Sequence, residues 1–274
     1  MERRVAILDH HDAQPSYVLV KDAEIGHIPL TPMVPPSDDV VVQARELLLK
    51  FGAHYGIPVG YAQEQNGRLI QHVLPNPKTE YSQMSSSSKT ILKLHTETAF
   101  HPYKPDWIIL MCLRGDKDAF TTYALCSDIL RDLDNETIQE LRKPQFLTTT
   151  DESFRRNGEK HRMIRLPIFK DGLNGLEFCY DDDLMKGEND DAERALQTLR
   201  SVVDSKTRQI SLESGDVFVI NNRKLVHGRK PFQPRYDGTD RWMLRLLLVE
   251  KLPPETERKD IPHTVITTDF GVGA

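Results

Sequence analysis

Residues 94–102 decide which fold the rest of the chain is expected to adopt, and they read Leu94-His95-Thr96-Glu97-Thr98-Ala99-Phe100-His101-Pro102. His95 and Glu97 are two residues apart, so their side chains project to the same face of a β-strand and can supply two adjacent ligands to one divalent ion. The best candidate for a third ligand is His227, far downstream and next to Gly228, where a ligand could approach closely. Two histidines and one carboxylate form the ligand set of non-haem Fe(II) oxygenases. The alternative that these residues bind no metal stays open. A His-x-Glu sequence is frequent by chance, and His227 also fits an ordinary half-buried histidine after a turn.

Two arginines bracket the start of a strongly apolar run, which reads Arg241-Trp242-Met243-Leu244-Arg245-Leu246-Leu247-Leu248-Val249. On a strand, Arg241 and Arg245 share one face. A guanidinium in such a strand is costly to bury unless it meets an anion, and arginine matches a carboxylate with two parallel hydrogen bonds. The alternative is that one or both are surface arginines of an edge strand, paired with Asp or Glu.

The composition is that of an ordinary globular protein that works in a reducing compartment. Of 274 residues, 38% are hydrophobic and 28% charged, and the net charge of −5 gives no reason to expect nucleic acid as a partner. The three cysteines are an odd number without zinc-finger spacing, which favours a cytoplasmic location over a disulfide framework. No apolar run has the length of a membrane span or a signal peptide, so we expect no membrane partner.

The hydrophobic pattern predicts many short strands and few helices. Apolar residues recur at helical spacing over 41–55, 128–142 and 190–203, and Ser37 is a candidate N-cap before the first of these. The predicted strands of the β-rich part cover residues 91–98, 107–113, 120–125, 163–169, 176–180, 208–212, 217–221, 225–227 and 242–249. This pattern favours a sandwich or jelly roll.

No repeat or linker divides the chain, so we expect a single domain over residues 1–274. Residues 1–60 form a lead-in and a helix, 61–250 the jelly-roll core, and 251–274 a C-terminal tail. The polar, irregular segment 148–162 is a candidate lid over the mouth of the barrel.

Several of these motifs together resemble a known family. The string from His95 to Pro102, the Gly215-Asp216 turn, Asn221-Asn222, His227 and Arg241 are similar to the clavaminate synthase-like Fe(II)/2-oxoglutarate oxygenases. That group includes asparagine oxygenase and the arginine and lysine hydroxylases of antibiotic biosynthesis. The resemblance runs from about Gln63 to Val249, and it is specific because most related oxygenases carry Asp rather than Glu in the metal triad.

The resemblance implies a mainly β protein with a double-stranded β-helix core, that is, a cupin-like jelly roll with flanking α-helices. It implies Fe(II) bound by His95, Glu97 and His227, with 2-oxoglutarate and O2 as cosubstrates. Arg241 would bind the far carboxylate of 2-oxoglutarate, and Thr122 would assist it. His101 would be structural rather than a ligand.

The resemblance also suggests how a substrate would be held. Arg245 would meet the α-carboxylate of an amino acid, and Glu64 its α-amino group. Ser85 or Ser86 would add contacts from the serine loop, and Asp181 would approach the side-chain end. Arginine hydroxylases tend to carry a second aspartate where this chain has Cys179. We therefore expect hydroxylation near Cβ of a polar or cationic L-amino acid, with release of succinate and CO2.

Other functions stay open on the sequence alone. Desaturation or cyclisation would use the same iron centre. A cupin-type metal isomerase or hydrolase could use the same three ligands without a 2-oxo acid, and a non-catalytic amino-acid-binding module could have kept the fold. The sequence is silent on which amino acid is used and on the oligomeric state.

Overall fold

The structure is a computed structural model that describes residues 3–7, 14–154 and 163–268, the first of these segments by its backbone. The candidate lid over 148–162 is therefore described only as far as residue 154, and its residues 155–162 lie outside the described residues. Parts of the predicted lead-in and tail, residues 1–2, 8–13 and 269–274, also lie outside them.

The described residues contain eighteen strands, most of them short. In chain order β1 to β18 are Arg3–Ile7, Tyr17–Lys21, Ile57–Tyr61, Ile70–Val73, Leu92–His95, Trp107–Arg114, Thr121–Leu125, Phe146–Thr148, Ile164–Leu166, Phe169–Gly172, Gly175–Phe178, Lys186–Gly187, Arg208–Ile210, Val217–Asn221, Leu225–Arg229, Trp242–Val249, Arg258–Lys259 and Val265–Ile266.

Within residues 14–154 and 163–268, four α-helices flank the strands, together with short 3-10 helices. In chain order α1 to α4 are Val42–Gly52, Cys126–Asp132, Asn135–Leu141 and Asp190–Lys206, and the 3-10 helices are Asp38–Val41, Gln65–Gly67, Glu152–Phe154 and Glu255–Glu257. In the described part of the chain, no helix is both long enough and apolar enough to cross a membrane.

The helix predicted over 128–142 is wrong as a single element. Leu133 is extended, and the Asp134 side chain accepts the backbone N–H of Thr137 as the N-cap of α3. This cap interrupts what the apolar spacing alone presents as one continuous helix. The Ser37 prediction is confirmed, since its hydroxyl accepts the backbone N–H of Asp39 at the start of the first 3-10 helix.

The strands form two larger sheets within the described residues, which is the predicted jelly-roll fold. The major sheet has the order β1-β2-β14-β6-β16-β3-β18-β17, with β4 also paired to β16, and the minor sheet has the order β13-β7-β15-β5. The remaining described strands form a β12-β8-β9 sheet and a β10-β11 hairpin. Nearly all pairings are antiparallel, apart from the parallel contact of β18 with β3.

Among the residues that the structure describes, three apolar layers alternate with the two larger sheets. Ile108 and Leu110 of β6 pack with Tyr123 of β7 in the layer between the sheets. Ile109 and Met111, the alternate residues of β6, face outward under helix α1. Helices α2, α3 and α4 cover the outer face of the minor sheet. Both faces of β6 and β16 are therefore buried, which explains why these strands read as continuous apolar runs.

Gly228 is required by strand packing in the minor sheet. A Cβ atom at this position would lie 2.4 Å from the carbonyl oxygen of Leu92 and 3.0 Å from that of Lys93, both on the backbone of β5. The glycine thus lets β15 approach β5 closely enough to bring His227 opposite His95. The absence of a side chain at Gly228 makes room for β5, and Gly228 also borders a cavity.

We expect the substitution Gly228→Ala to destabilise the fold by about 1–3 kcal/mol, the usual cost of overpacking against a backbone that cannot move. Urea unfolding of the metal-free protein measures this loss. Gly172→Ala is the matched control, because its Cβ would meet only the flexible side chain of Glu177. Equal stability of the two variants would contradict this reading of Gly228.

Candidate metal centre

Three side chains from distant parts of the sequence meet in the described structure. His95, Glu97 and His227 each offer one ligand atom, and these atoms all lie within 4.8 Å of one another. His95 ends β5 and stands directly opposite His227 of β15, with the two ring centroids 4.6 Å apart. The strand predicted over 91–98 ends at His95, so Glu97 lies in the turn that follows it.

Hydrogen bonds between the Asn222 side chain and the Glu97 backbone fix the position of Glu97. The Glu97 N–H donates to Oδ1 of Asn222 at 2.9 Å, and Nδ2 of Asn222 donates back to the Glu97 carbonyl at 3.1 Å. The same Nδ2 donates to the Pro105 carbonyl at 2.8 Å. Asn222 is fully buried directly after β14, so it ties the turn that carries Glu97 to the major sheet. The sequence marked Asn221-Asn222 as a motif but gave no role to it.

The donor set fits a divalent metal ion such as Fe(II). Oε2 of Glu97 is buried and has no hydrogen-bond partner among the described residues, and Nε2 of His227 lies 3.6 Å from it. Nδ1 of His95 lies 2.8 Å from the Lys93 carbonyl, an arrangement that places the proton on Nδ1 and leaves Nε2 as a lone-pair donor. Buried polar atoms are rarely left unpaired unless something binds them.

The protonation states are those that a metal needs. Burial opposes ionisation of Glu97, but the Arg245 guanidinium and His227 hold the pKa of this carboxyl well below its usual range. Burial lowers the pKa of His227, which keeps its imidazole neutral near pH 7. Metal ligands must be deprotonated carboxylates and neutral imidazoles, so the site needs no proton release from Glu97 or His227 at neutral pH.

Arg245 is buried within a network of acceptors beside the triad. Its Nη1 lies 2.9 Å from Oε1 of Glu97, its Nε donates to Oε1 of Gln71 at 2.7 Å, and its Nη2 pairs with Glu64. Gln71 stands opposite Arg245 on β4 and donates its own Nε2 to Glu64 at 3.1 Å. The alternative of an exposed edge arginine is therefore wrong for Arg245. Gln71 is a member of this network that the sequence did not reveal.

Arg241 differs from Arg245 in its partners. It is 8% exposed and lines the same cavity as the triad, as the shared strand face predicts. Among the described residues, it has no hydrogen bond and no salt bridge. Burial lowers its pKa, with the charge of Asp116 opposing this change. An unpaired buried guanidinium in a cavity indicates a site for an anion.

Thr122 does not border this cavity, and its neighbour Thr121 does. Successive residues of β7 face opposite sides of the sheet, and Thr121 shares its side with Tyr123, which packs between the two sheets. Thr122 lies on the other face, beside Ala124 in the layer under the helices. The structure thus puts a threonine hydroxyl at the cavity, one residue before the predicted position.

Of the other predicted substrate residues, some line the cavity and one does not. Glu64, Ser85 and Asp181 line the cavity. Ser86 does not, and its hydroxyl instead bonds with that of Thr79 at 2.8 Å inside the loop. Asp181 is buried and forms a β-bridge with His95, and its Oδ1 accepts two backbone N–H groups. Burial raises the pKa of the Asp181 carboxyl, and the nearby His95 opposes this shift.

The family model for the taurine catabolism dioxygenase TauD, TfdA family matches residues 36–247 of this sequence, a range that contains every one of these side chains. The chain belongs to this dioxygenase family. Sequence relatives include the L-lysine 3-hydroxylase of Catenulispora acidiphila, 32% identical over 246 residues, which are 87% of this chain and 68% of the relative. The L-asparagine oxygenase of Streptomyces coelicolor is 33% identical over 208 residues, 75% of this chain and 62% of that enzyme. The chain therefore matches about two thirds of the length of these relatives.

Solved structures agree with this assignment. Asparagine oxygenase in complex with Fe(II), 2S,3S-3-hydroxyasparagine and succinate has a TM-score of 0.83 and 28% identity, covering 93% of this chain and 80% of that one. The non-heme iron oxygenase OrfP in complex with Fe and alpha-ketoglutaric acid has a TM-score of 0.80 and 32% identity, covering 94% and 81%. The predicted family and jelly-roll fold are confirmed. Iron is present in both of these related structures, and 2-oxoglutarate is present in the OrfP complex.

Replacing Asn222 should weaken metal binding without removing a ligand. We expect Asn222→Ala to lower the affinity for Mn(II), used as a redox-stable probe, by about 10- to 100-fold, the usual effect of losing a group that orients a ligand. Calorimetric titration of folded, metal-free protein measures this change.

Asn221→Ala is the matched control, because the Asn221 side chain bonds only with Pro15 and Arg223 in the described structure. If the two variants bound Mn(II) equally well, Asn222 would have no part in orienting Glu97.

Proposed function

We propose that this protein is an Fe(II)- and 2-oxoglutarate-dependent dioxygenase that hydroxylates an unactivated carbon, at or near Cβ, of a cationic or polar L-amino acid. The observation that carries the proposal is that one cavity contains the metal triad together with Arg241 and Arg245, two buried arginines that differ in their partners. Arg241 has no acceptor among the described residues, whereas Arg245 is paired with two carboxylates. Arg241 can therefore bind an added anion, whereas the charge of Arg245 is already compensated by Glu64 and Glu97.

Arg241 and Thr121 would bind the far carboxylate of 2-oxoglutarate. A guanidinium can hold a carboxylate through two parallel hydrogen bonds, and a threonine hydroxyl can donate a third. The carboxylate would remove the cost of leaving Arg241 buried and unpaired. The keto acid end of the same molecule would then reach the triad, where two histidines and one carboxylate leave open positions on a metal ion.

Arg245 and Glu64 would bind the α-carboxylate and the α-ammonium of the amino acid. In the described structure these two side chains pair with each other, with Gln71 bridging them. An entering zwitterion would replace this internal ion pair with two ion pairs to the substrate. Arg245 and Glu64 would therefore each keep a partner of opposite charge. Such an exchange avoids leaving a charge buried without a partner.

The side-chain end of the substrate would face an acidic part of the cavity. Asp151, Glu152, Asp181 and Asp183 all contribute to the lining. Asp151 and Glu152 belong to the described part of the predicted lid, and Asp181 is adjacent to His95 in the sheet. This charge favours a substrate with a cationic side chain over a neutral one. Arginine hydroxylation is less well supported than lysine or ornithine hydroxylation, because Cys179 bonds with the Ala99 carbonyl and does not line the cavity.

The bound iron, with the 2-oxo acid and O2, would supply the oxidation itself. The chain would hold the two organic substrates in fixed positions through Arg241 and Arg245. It would also keep Glu97 ionised and oriented, and limit the access of water to Glu97 and His227, which are buried. No side chain is needed as an acid or base for this reaction.

Incubation of the protein with Fe(II), 2-oxoglutarate and each common amino acid tests the proposal, with succinate release and product mass as readouts. We expect succinate in proportion to a product that has gained one oxygen atom. Loss of two hydrogens would instead indicate desaturation or cyclisation. Absence of any 2-oxoglutarate turnover, coupled or uncoupled, would overturn the proposed function and leave a cupin-type isomerase or hydrolase as the alternative.

Asp181→Asn tests the role of the acidic lining. We expect kcat/KM for lysine and ornithine to fall by about 30-fold or more relative to asparagine and glutamine, because removing one charge from a buried ion pair costs about 2 kcal/mol or more. Asp182→Asn is the control, since Asp182 lies next to Asp181 but outside the cavity lining. An equal loss for cationic and neutral amino acids would contradict this role for Asp181.

A further inference from the structure

Arg229 is a third buried arginine at the cavity, and the proposed function gives it no role. It is 2% exposed and lies two residues after the candidate ligand His227 on β15. Its Nη2 donates to the Ser87 hydroxyl at 2.7 Å, and its Nη1 donates to the carbonyls of Lys230 at 3.0 Å and Ser88 at 3.4 Å. Its Nε is buried and has no hydrogen-bond partner among the described residues. All of its described hydrogen-bond acceptors are thus neutral.

The strand register places Arg229 beside Thr121 at the cavity. Residues two apart on a strand face the same side, so Arg229 points with His227 toward the space between the sheets. Its partner on β7 is Thr121, the hydroxyl residue that borders the cavity. Arg229 and Thr121 are therefore paired on neighbouring strands, and Arg241 lines the same cavity.

The charges of the two arginines act on each other. Both guanidinium groups are buried and line one cavity, and the positive charge of Arg241 disfavours that of Arg229. Neither guanidinium has a carboxylate partner within the described ranges. Two neighbouring buried cations without an anion are costly, because desolvation and mutual repulsion add together. An anion bound between them would remove both costs at once.

We propose that Arg229 is a second guanidinium that holds the far carboxylate of the 2-oxo acid, together with Arg241. This inference rests on the proposed function, since it assigns a further residue to the same cosubstrate. The carboxylate carries two oxygens with several acceptor directions, so it can accept hydrogen bonds from two guanidinium groups and the Thr121 hydroxyl together. Arg229 would also connect the cosubstrate to the serine loop through Ser87.

A purely structural role makes a different prediction. If Arg229 only supported the loop of residues 85–88, its loss would change the amino-acid site that Ser85 borders and leave the cosubstrate unaffected. Ser87→Ala removes the hydroxyl partner of Arg229 but keeps the guanidinium. The two roles can therefore be separated by comparing variants of Arg229 and Ser87.

The test is calorimetric binding of two 2-oxo acids to the Mn(II)-loaded protein, in which no turnover occurs. 2-Oxoglutarate has a far carboxylate, and 2-oxovalerate has the same chain length without it. We expect Arg229→Gln to lower the affinity for 2-oxoglutarate by about 10- to 100-fold, as for other close charge pairs, and to leave 2-oxovalerate binding unchanged. Arg229→Lys should lose less, because it keeps the charge but not the planar fork.

Two control variants accompany these measurements. Lys230→Gln removes the neighbouring positive charge from an exposed side chain and should bind 2-oxoglutarate like the unmodified protein. Ser87→Ala should also keep most of the affinity, within about threefold.

Several results would overturn the inference. These are an unchanged 2-oxoglutarate affinity in Arg229→Gln, an equal loss for both acids, or a loss in Ser87→Ala as large as in Arg229→Gln. Should Arg229→Gln not fold, the comparison of Arg229→Lys with Lys230→Gln decides the question on the same criteria. Failure of the unmodified protein to bind either acid would instead count against the proposed function as a whole.

Discussion

The site depends on one buried ion pair, that between Arg245 and Glu97. Arg245 comes from the centre of the major sheet and holds Oε1 of Glu97 at 2.9 Å, which leaves Oε2 directed toward His227 at 3.6 Å. One carboxylate oxygen is thereby satisfied by the protein, and the other is left for a metal ion. Removing one partner of such a pair costs about 3–5 kcal/mol, so the arrangement strongly constrains both strands.

The same pair links the metal centre to the proposed substrate site. Arg245 also contacts Glu64 and Gln71, so a change in its partners on amino-acid binding would be transmitted to Glu97 through a single guanidinium. Arg241 lies apart from this network, within a cavity that it shares with Arg229. The cavity thus contains one balanced group of charges and one cationic group, which matches the combination of a zwitterion and a dicarboxylic acid.

Sequence reasoning reached the ligand set and the shared face of Arg241 and Arg245, because both follow from residue type and the two-residue period of a strand. It also reached the jelly roll, from the succession of short apolar strands. We predicted Thr122 as the cosubstrate residue, whereas Thr121 is the residue of β7 that borders the cavity. A one-residue difference in register reverses the face, and only the pairing with β15 fixes it. Asn222 and Gln71 were missed because their roles depend on contacts with residues far away in sequence, Glu97 and Arg245, which no local pattern encodes.

The most direct test of the central claim is an anaerobic titration of the protein with Fe(II), followed by 2-oxoglutarate, while the visible absorption spectrum is recorded. If His95, Glu97 and His227 hold the iron and leave two positions for a 2-oxo acid, one Fe(II) binds per chain. A charge-transfer band then appears only after 2-oxoglutarate is added, and both are lost in His227→Ala. An unchanged iron stoichiometry and band in His227→Ala would show that the metal binds elsewhere.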